Sequence, residues 1–179
     1  GKNVYDNNEI NAVIKTLKKS TQMGSSVESF EQKISKLFSK NFGLMVNSGS
    51  SALTLALKVM DFKNDSEIIT PCLNFGTAVS SIMLSNLKPI FVDCEIETLQ
   101  IDIKKIEEKI TKKTKALLIP NLIGNLPNWA KIRKLANKHK LMIIEDSADT
   151  LGATIGNKPS GRFSDISITS FYGSHIISC

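Results

Sequence analysis

Residues 115–146 read KALLIPNLIGNLPNWAKIRKLANKHKLMIIED. Two apolar runs, Ala116–Ile119 and Leu141–Ile144, stand on either side of a helical segment, Asn128–His139, that is entered through Pro127. Neither run alternates with polar residues. A strand with one wet face would alternate, so these two are expected to be buried on both faces, as in a parallel sheet. Strand, helix and strand in that order predict a parallel pair joined by a right-handed crossover.

The same rhythm extends outward. Upstream, the spacing predicts a strand over Leu44–Asn47, a helix over Ser51–Met60, a strand over Glu67–Thr70 closed by Pro71, and a helix over Gly76–Ser85. A strand over Pro89–Asp93 and a helix over Asp102–Ile110, with Asp102 as its N-cap, lead into Lys115–Pro120. Downstream, Ala153–Ile155 and Ile166–Phe171 read as further strands. Two amphipathic helices open the chain: residues 7–19, with Ile10, Val13, Ile14 and Leu17 on one face, and residues 27–40, with Val27, Phe30, Ile34, Leu37 and Phe38. Residues 1–40 therefore read as an N-terminal helical segment, and 41–179 as an α/β domain with a mostly parallel sheet and helices on both faces. Ligands of such sheets sit at the C-terminal ends of the strands. Polar punctuation falls at those ends: Asn47–Ser51, Pro71–Phe75, Asn121–Asn125, Glu145-Asp146 and Ser170–His175.

Composition narrows the function classes. Apolar residues make up 41% and charged residues 22%, so a sizeable core can form. The apolar runs are too short to span a bilayer, and no basic-then-apolar leader opens the chain. The net charge of +6 comes from lysines on helix surfaces. With aromatics at 6% and none interleaved with those lysines, they read as a solvated face and not as a nucleic-acid stripe. Cys72, Cys94 and Cys179 make no CxxC pair, which fits a reduced cytoplasmic chain better than a disulfide scaffold or a zinc site. A chain that starts at Gly1 and stops at Cys179 without a cap reads as trimmed at either end.

Four places can carry chemistry. Asn47-Ser48-Gly49-Ser50-Ser51-Ala52 runs into a helix start, which is either a capping turn or a phosphate cradle. Glu145-Asp146 ends a strand and either caps the next turn or holds a ring nitrogen protonated. Phe75 is a packing residue or a ring-stacking one. His175 is a structural imidazole or a general base. His139, in the lysine-rich helix, reads as a surface residue.

Together and in this order, these segments resemble the DegT/StrS family of pyridoxal-phosphate-dependent nucleotide-sugar aminotransferases and dehydratases, over about Tyr5 to Ser178. The resemblance implies an aspartate-aminotransferase-like fold (pyridoxal-phosphate fold type I), whose small C-terminal domain is absent from this chain. It implies Gly49, Ser50 and Ser51 on the cofactor phosphate, Phe75 against the pyridine ring, Asp146 on the pyridine nitrogen, and Ser170 near the phosphate. Asp149 stands where the family usually has glutamine, and His175 where it has the Schiff-base lysine; no lysine follows Lys158. Both departures, and the segment SFYGSHIIS, are similar to the branch that removes the C3 hydroxyl of CDP-4-keto-6-deoxyglucose or GDP-4-keto-6-deoxymannose. A histidine cannot make the covalent link, so pyridoxal or pyridoxamine phosphate would bind non-covalently, with His175 as the base. The resemblance further implies a nucleotide-diphosphate-sugar substrate, a homodimer and a role in surface-polysaccharide deoxysugar synthesis. For the CDP branch it also implies an iron–sulfur cluster on cysteines beyond Cys179 and a reductase partner. The alternatives are an ordinary sugar aminotransferase, an inert remnant or interaction module, and a nucleotide-binding Rossmann-like domain, against which the missing GxGxxG counts.

Overall fold

The computed structural model describes residues 5–173 and 175. The readings that fall on Ser174, on Ile176–Ser178 of the SFYGSHIIS segment and on Cys179 lie outside them. Helices α1 (Asn7–Lys19) and α2 (Ser25–Leu37) come first, and a capping box between Asp6 and Glu9 starts α1. Then follow α3 (Gly49–Val59), β1 (Glu67–Pro71), α4 (Gly76–Leu84), β2 (Lys88–Val92), α5 (Ile103–Glu108), β3 (Thr114–Pro120), α6 (Trp129–His139) and β4 (Met142–Asp146). A short hairpin of β5 (Thr154–Ile155) and β6 (Lys158–Pro159) precedes β7 (Ile166–Ile168).

Strands β2-β1-β3-β4-β7 form one sheet in that order, with every pair parallel. Side chains alternate across it, and both faces of the inner strands β1, β3 and β4 are dry. Ile68, Ala116, Leu118 and Ile144 pack under α3 and α4, with Leu53, Leu57 and Ile82. Ile69, Leu117, Ile119 and Ile143 pack under α5 and α6, with Ile106, Trp129 and Ile132. The chain leaves β1 for β2 on one side and returns to β3 on the other. The crevice between the ends of β1 and β3 is therefore the switch point where such sheets bind ligands.

The helix starts follow the sequence: Asp102 accepts from the Lys104 N–H, and Asn128 from the Lys131 N–H. Three expectations change. Leu44–Asn47 forms no strand: Met45 N–H is taken by Glu31 Oε1 at 2.6 Å, and no described strand lies beside the segment to complete a ladder. Ala153–Ile155 contributes to the hairpin and not to the main sheet. Ile166–Phe171 is strand only to Ile168, because its neighbour β4 ends at Asp146, the residue opposite. His139 is also less exposed than expected, since its ring packs on Glu107 with Nε2 2.7 Å from Oε1.

Candidate active site

A cavity of about 1150 Å³ opens at the C-terminal edge of the sheet. Into it come the start of α3, the loop after β1, the turn after β3, the end of β4 and the chain beyond β7. Of the residues singled out from the sequence, Gly49, Ser50, Phe75, Asp146, Asp149, Ser170 and His175 line it. Ser51 does not; with Ser50 it lines a smaller neighbouring hollow.

The start of α3 shows why. Ser48 is the N-cap, and its hydroxyl takes the Ser51 N–H at 3.1 Å and donates to the Ser51 hydroxyl. Ser51 is thus occupied in capping. The N–H groups of Gly49 and Ser50 lie in the first turn, where a helix provides no carbonyl for them. Together with the helix dipole they make an anion-ready end. Ser170 lies against it: a Cβ on Gly49 would meet the Ser170 Cβ at 3.2 Å and its Oγ at 3.4 Å. Glycine is what lets these two segments, remote in sequence, close on one spot.

Glu145 and Asp146 take opposite roles. Glu145 is fully buried and points away from the cavity into a complete donor set. Asn121 Nδ2, the hydroxyls of Ser147 and Ser167, and Ser164 Oγ all lie 2.9–3.0 Å from its carboxylate. Asn121 is itself fixed by the Trp129 indole N–H at 2.8 Å. This network anchors the end of β4. Asp146, next along, is buried, and among the described residues its carboxylate accepts one hydrogen bond, from the Ala148 N–H at 3.1 Å. Burial pushes its pKa up to about 6; Ala148 N–H and His175 pull it down, while Asp149 and Glu145 add to the rise. A buried carboxylate with spare acceptor capacity suits a cationic N–H.

His175 lines the same cavity. Its N–H bonds back to Tyr172 O, and its ring meets the Tyr172 ring edge-on at 5.8 Å. Its Nε2 is 3.9 Å from Asp149 Oδ1, too long for a hydrogen bond, and its Nδ1 is buried with no partner among the described residues. Asp149 spends its other oxygen on the Ile123 N–H at 3.3 Å. One lysine lines the cavity, Lys40, and its ammonium is committed to Gly161 O, Ser164 O and Ser164 Oγ. Burial lowers its pKa, which the Glu145 charge partly offsets.

Phe75 presents its ring to the open cavity, with 65% of the residue exposed. Its loop is braced by Asn74, which accepts from the Phe75 N–H and donates to Thr70 Oγ1, both at 2.8 Å. Asn74, Asn121 and Tyr172 fall within the strand-end segments read from the sequence, but none was given a role of its own there; their partners, Thr70, Glu145 with Trp129, and the His175 ring, come together only in the fold. Among the described residues no cluster of His, Cys, Asp or Glu is placed to hold a metal ion. Nor is any helix there long and apolar enough to cross a membrane.

A parallel sheet whose switch-point crevice is flanked by a helix N-terminus and a buried strand-end carboxylate makes this an α/β protein with a ligand site at the C-terminal ends of its strands. The chain belongs to the DegT/DnrJ/EryC1/StrS aminotransferase family, whose sequence profile matches residues 3–179. It is 34% identical to GDP-4-keto-6-deoxy-D-mannose 3-dehydratase of Escherichia coli O55:H7, over 96% of this chain and 46% of that protein. It is 36% identical to GDP-perosamine synthase of Escherichia coli O157:H7, over 86% and 42%. A solved structure of the E. coli GDP-4-keto-6-deoxy-D-mannose 3-dehydratase with bound hydrated PLP superposes with a TM-score of 0.82, at 33% identity over 88% of this chain and 42% of that one. The chain spans about half the length of the curated relatives it matches.

Proposed function

We propose that this chain is the cofactor-binding part of a pyridoxal-phosphate-type 3-dehydratase acting on a nucleotide-linked 4-keto-6-deoxy sugar. A GDP-sugar is favoured, in line with the relatives' names. The observation that carries the reading is the cavity's pairing of groups. A buried Asp146 and His175 line one cavity, near enough for His175 to pull the Asp146 pKa down, while Lys40, the one lysine among the described residues lining it, has its ammonium held by three oxygens.

The donor set fits a phosphorylated, planar, nitrogen-bearing ring. Gly49 and Ser50 would take the phosphate with their N–H groups, with Ser170 beside them and Ser51 holding the turn through Ser48. Phe75 would cover a ring face. When bound, such a ring supplies an electron sink for carbon–hydrogen and carbon–oxygen bond cleavage. Asp146 would keep a proton on the ring nitrogen, and the new partner would lower its raised pKa. His175, through Nε2 or through the Nδ1 that has no partner among the described residues, would take and return the proton at the cofactor's exocyclic C4′ carbon. Asp149 Oδ1 lies 3.9 Å from Nε2. Cytoplasmic location, homodimerisation and a place in surface-polysaccharide deoxysugar synthesis belong to the same proposal. The exposed apolar face of α1 supports the dimer.

The second reading is a sugar aminotransferase, favoured by the 36% identity to GDP-perosamine synthase. The two separate in one experiment. The protein is mixed with pyridoxal phosphate, and its spectrum is taken before and after borohydride and again after gel filtration. Cofactor that binds yet is not fixed by borohydride is the expected result. Cofactor fixed covalently to a lysine makes the aminotransferase the answer, and no binding at all favours an inert remnant.

A further inference from the structure

In sequence Cys72 and Cys94 are separate; in the fold they are neighbours. β1 and β2 pair with Pro71 opposite Val92, and the Cys72 N–H extends the ladder to Val92 O at 2.9 Å. Cys72 therefore stands opposite Asp93, one residue short of Cys94. Its Sγ lies 3.6 Å from Asp93 Oδ1, and the Cys94 thiol is flanked by the Leu73 N–H and the Cys72 thiol. In a regular parallel pair an offset of one residue leaves the Cα atoms about 6 Å apart but turns the side chains to opposite faces; Cys72 lies in a bend past the last pair of the ladder, where that alternation no longer holds, and its thiol lies beside that of Cys94. Disulfides span about 4.4–6.8 Å between Cα atoms. The backbone on each side is held, Cys72 by β2 and Cys94 by its bridge to Ile101. Cys72 is exposed and Cys94 half-buried, and burial is the main cause that pushes the Cys94 thiol up.

We propose that Cys72 and Cys94 are an oxidisable dithiol, in which Cys72 is the accessible attacking thiol and Cys94 the resolving one. The oxidant is a low-molecular-weight disulfide such as oxidised glutathione. The Cys72 thiolate attacks one glutathione sulfur, the glutathione S–S bond breaks, and one glutathione thiolate leaves. The Cys94 thiolate then attacks Cys72 Sγ and expels the second. The protein loses two electrons and two protons, and two glutathione thiols are formed. The bond would tie β1 to β2 just ahead of Asn74 and Phe75, at the rim of the cavity. It does not depend on which cofactor or substrate the cavity takes.

The test is a cysteine map of the unmodified chain. The folded protein is treated with oxidised glutathione, quenched in acid and alkylated with N-ethylmaleimide. It is then cut with chymotrypsin, which cleaves between the two cysteines at Phe75 and Phe91. The expected result is one pair of fragments, carrying Cys72 and Cys94, joined until reductant is added, and formed more slowly when the chain is unfolded in urea. The Cys94→Ser variant should instead retain glutathione on Cys72. Both cysteines alkylated, a separate glutathione on each, or Cys72 joined to Cys179 or to a second chain would overturn the proposal.

Discussion

Asp146 holds its proton more tightly in the folded chain than an ordinary aspartate does, with a pKa of about 6 against 3.8. The folded value is the higher one, so the stability that this proton lends is present in full below 3.8 and is lost as pH rises through about 6. In the cofactor-free protein, Asp146→Asn should therefore flatten this part of the pH dependence. The difference is on the order of 3 kcal/mol at most, read as urea midpoints on either side of the window. An unchanged slope would show that the carboxylate is already ionised. His175→Asn tests the proposed base. It should leave the pyridoxal phosphate spectrum in place and slow dehydration by about 10²–10⁴-fold; full-rate turnover with normal binding would remove His175 from the chemistry. His175 and Asp146 were legible in the sequence as residue types at strand ends. The spare valence of each was not, because it depends on which donors the neighbouring segments leave over.

At the scale of elements, the start of α3 is where local sequence and function meet. Ser48→Ala removes the cap that closes on Ser51 and should cost about 1 kcal/mol of stability, measured by urea denaturation. Gly49→Val makes a different claim. Its side chain must enter the space where a Cβ already comes within 3.2 Å of Ser170. Phosphate-bearing ligands should bind at least tenfold more weakly while the helix persists by circular dichroism; unchanged affinity would place the anion elsewhere. The helices and inner strands were readable because their caps and dry runs are local. Leu44–Asn47 misled because a strand is defined by its partner, and the backbone there is met by the Glu31 side chain instead.

For the whole molecule, α1 buries none of its residues. Val13 and Leu17 on its apolar face are 59% and 64% exposed. If that face is covered by a second copy, Val13→Asp with Leu17→Asp should convert a dimer to a monomer in light scattering and leave the monomer's own melting little changed. A wild-type monomer, or a dimer indifferent to both charges, would remove α1 from the interface. The long-range ties inside the chain are of another kind. Lys40 reaches across to the carbonyls of Gly161 and Ser164, and Ser164 in turn meets Glu145. A single buried polar network thus links the end of the helical segment, the turn before β7 and the strand that carries Asp146.

The sequence by itself determined the alternation of dry strands and capped helices, the parallel sheet and the family. Each of these rests on patterns within a few residues or on motifs in a fixed order. Only the tertiary structure decided that Gly49 and Ser50 face the cavity, that Lys40 is committed, and that Cys72 meets Cys94. Those outcomes depend on strand register and on the close approach of distant segments, which no local pattern encodes.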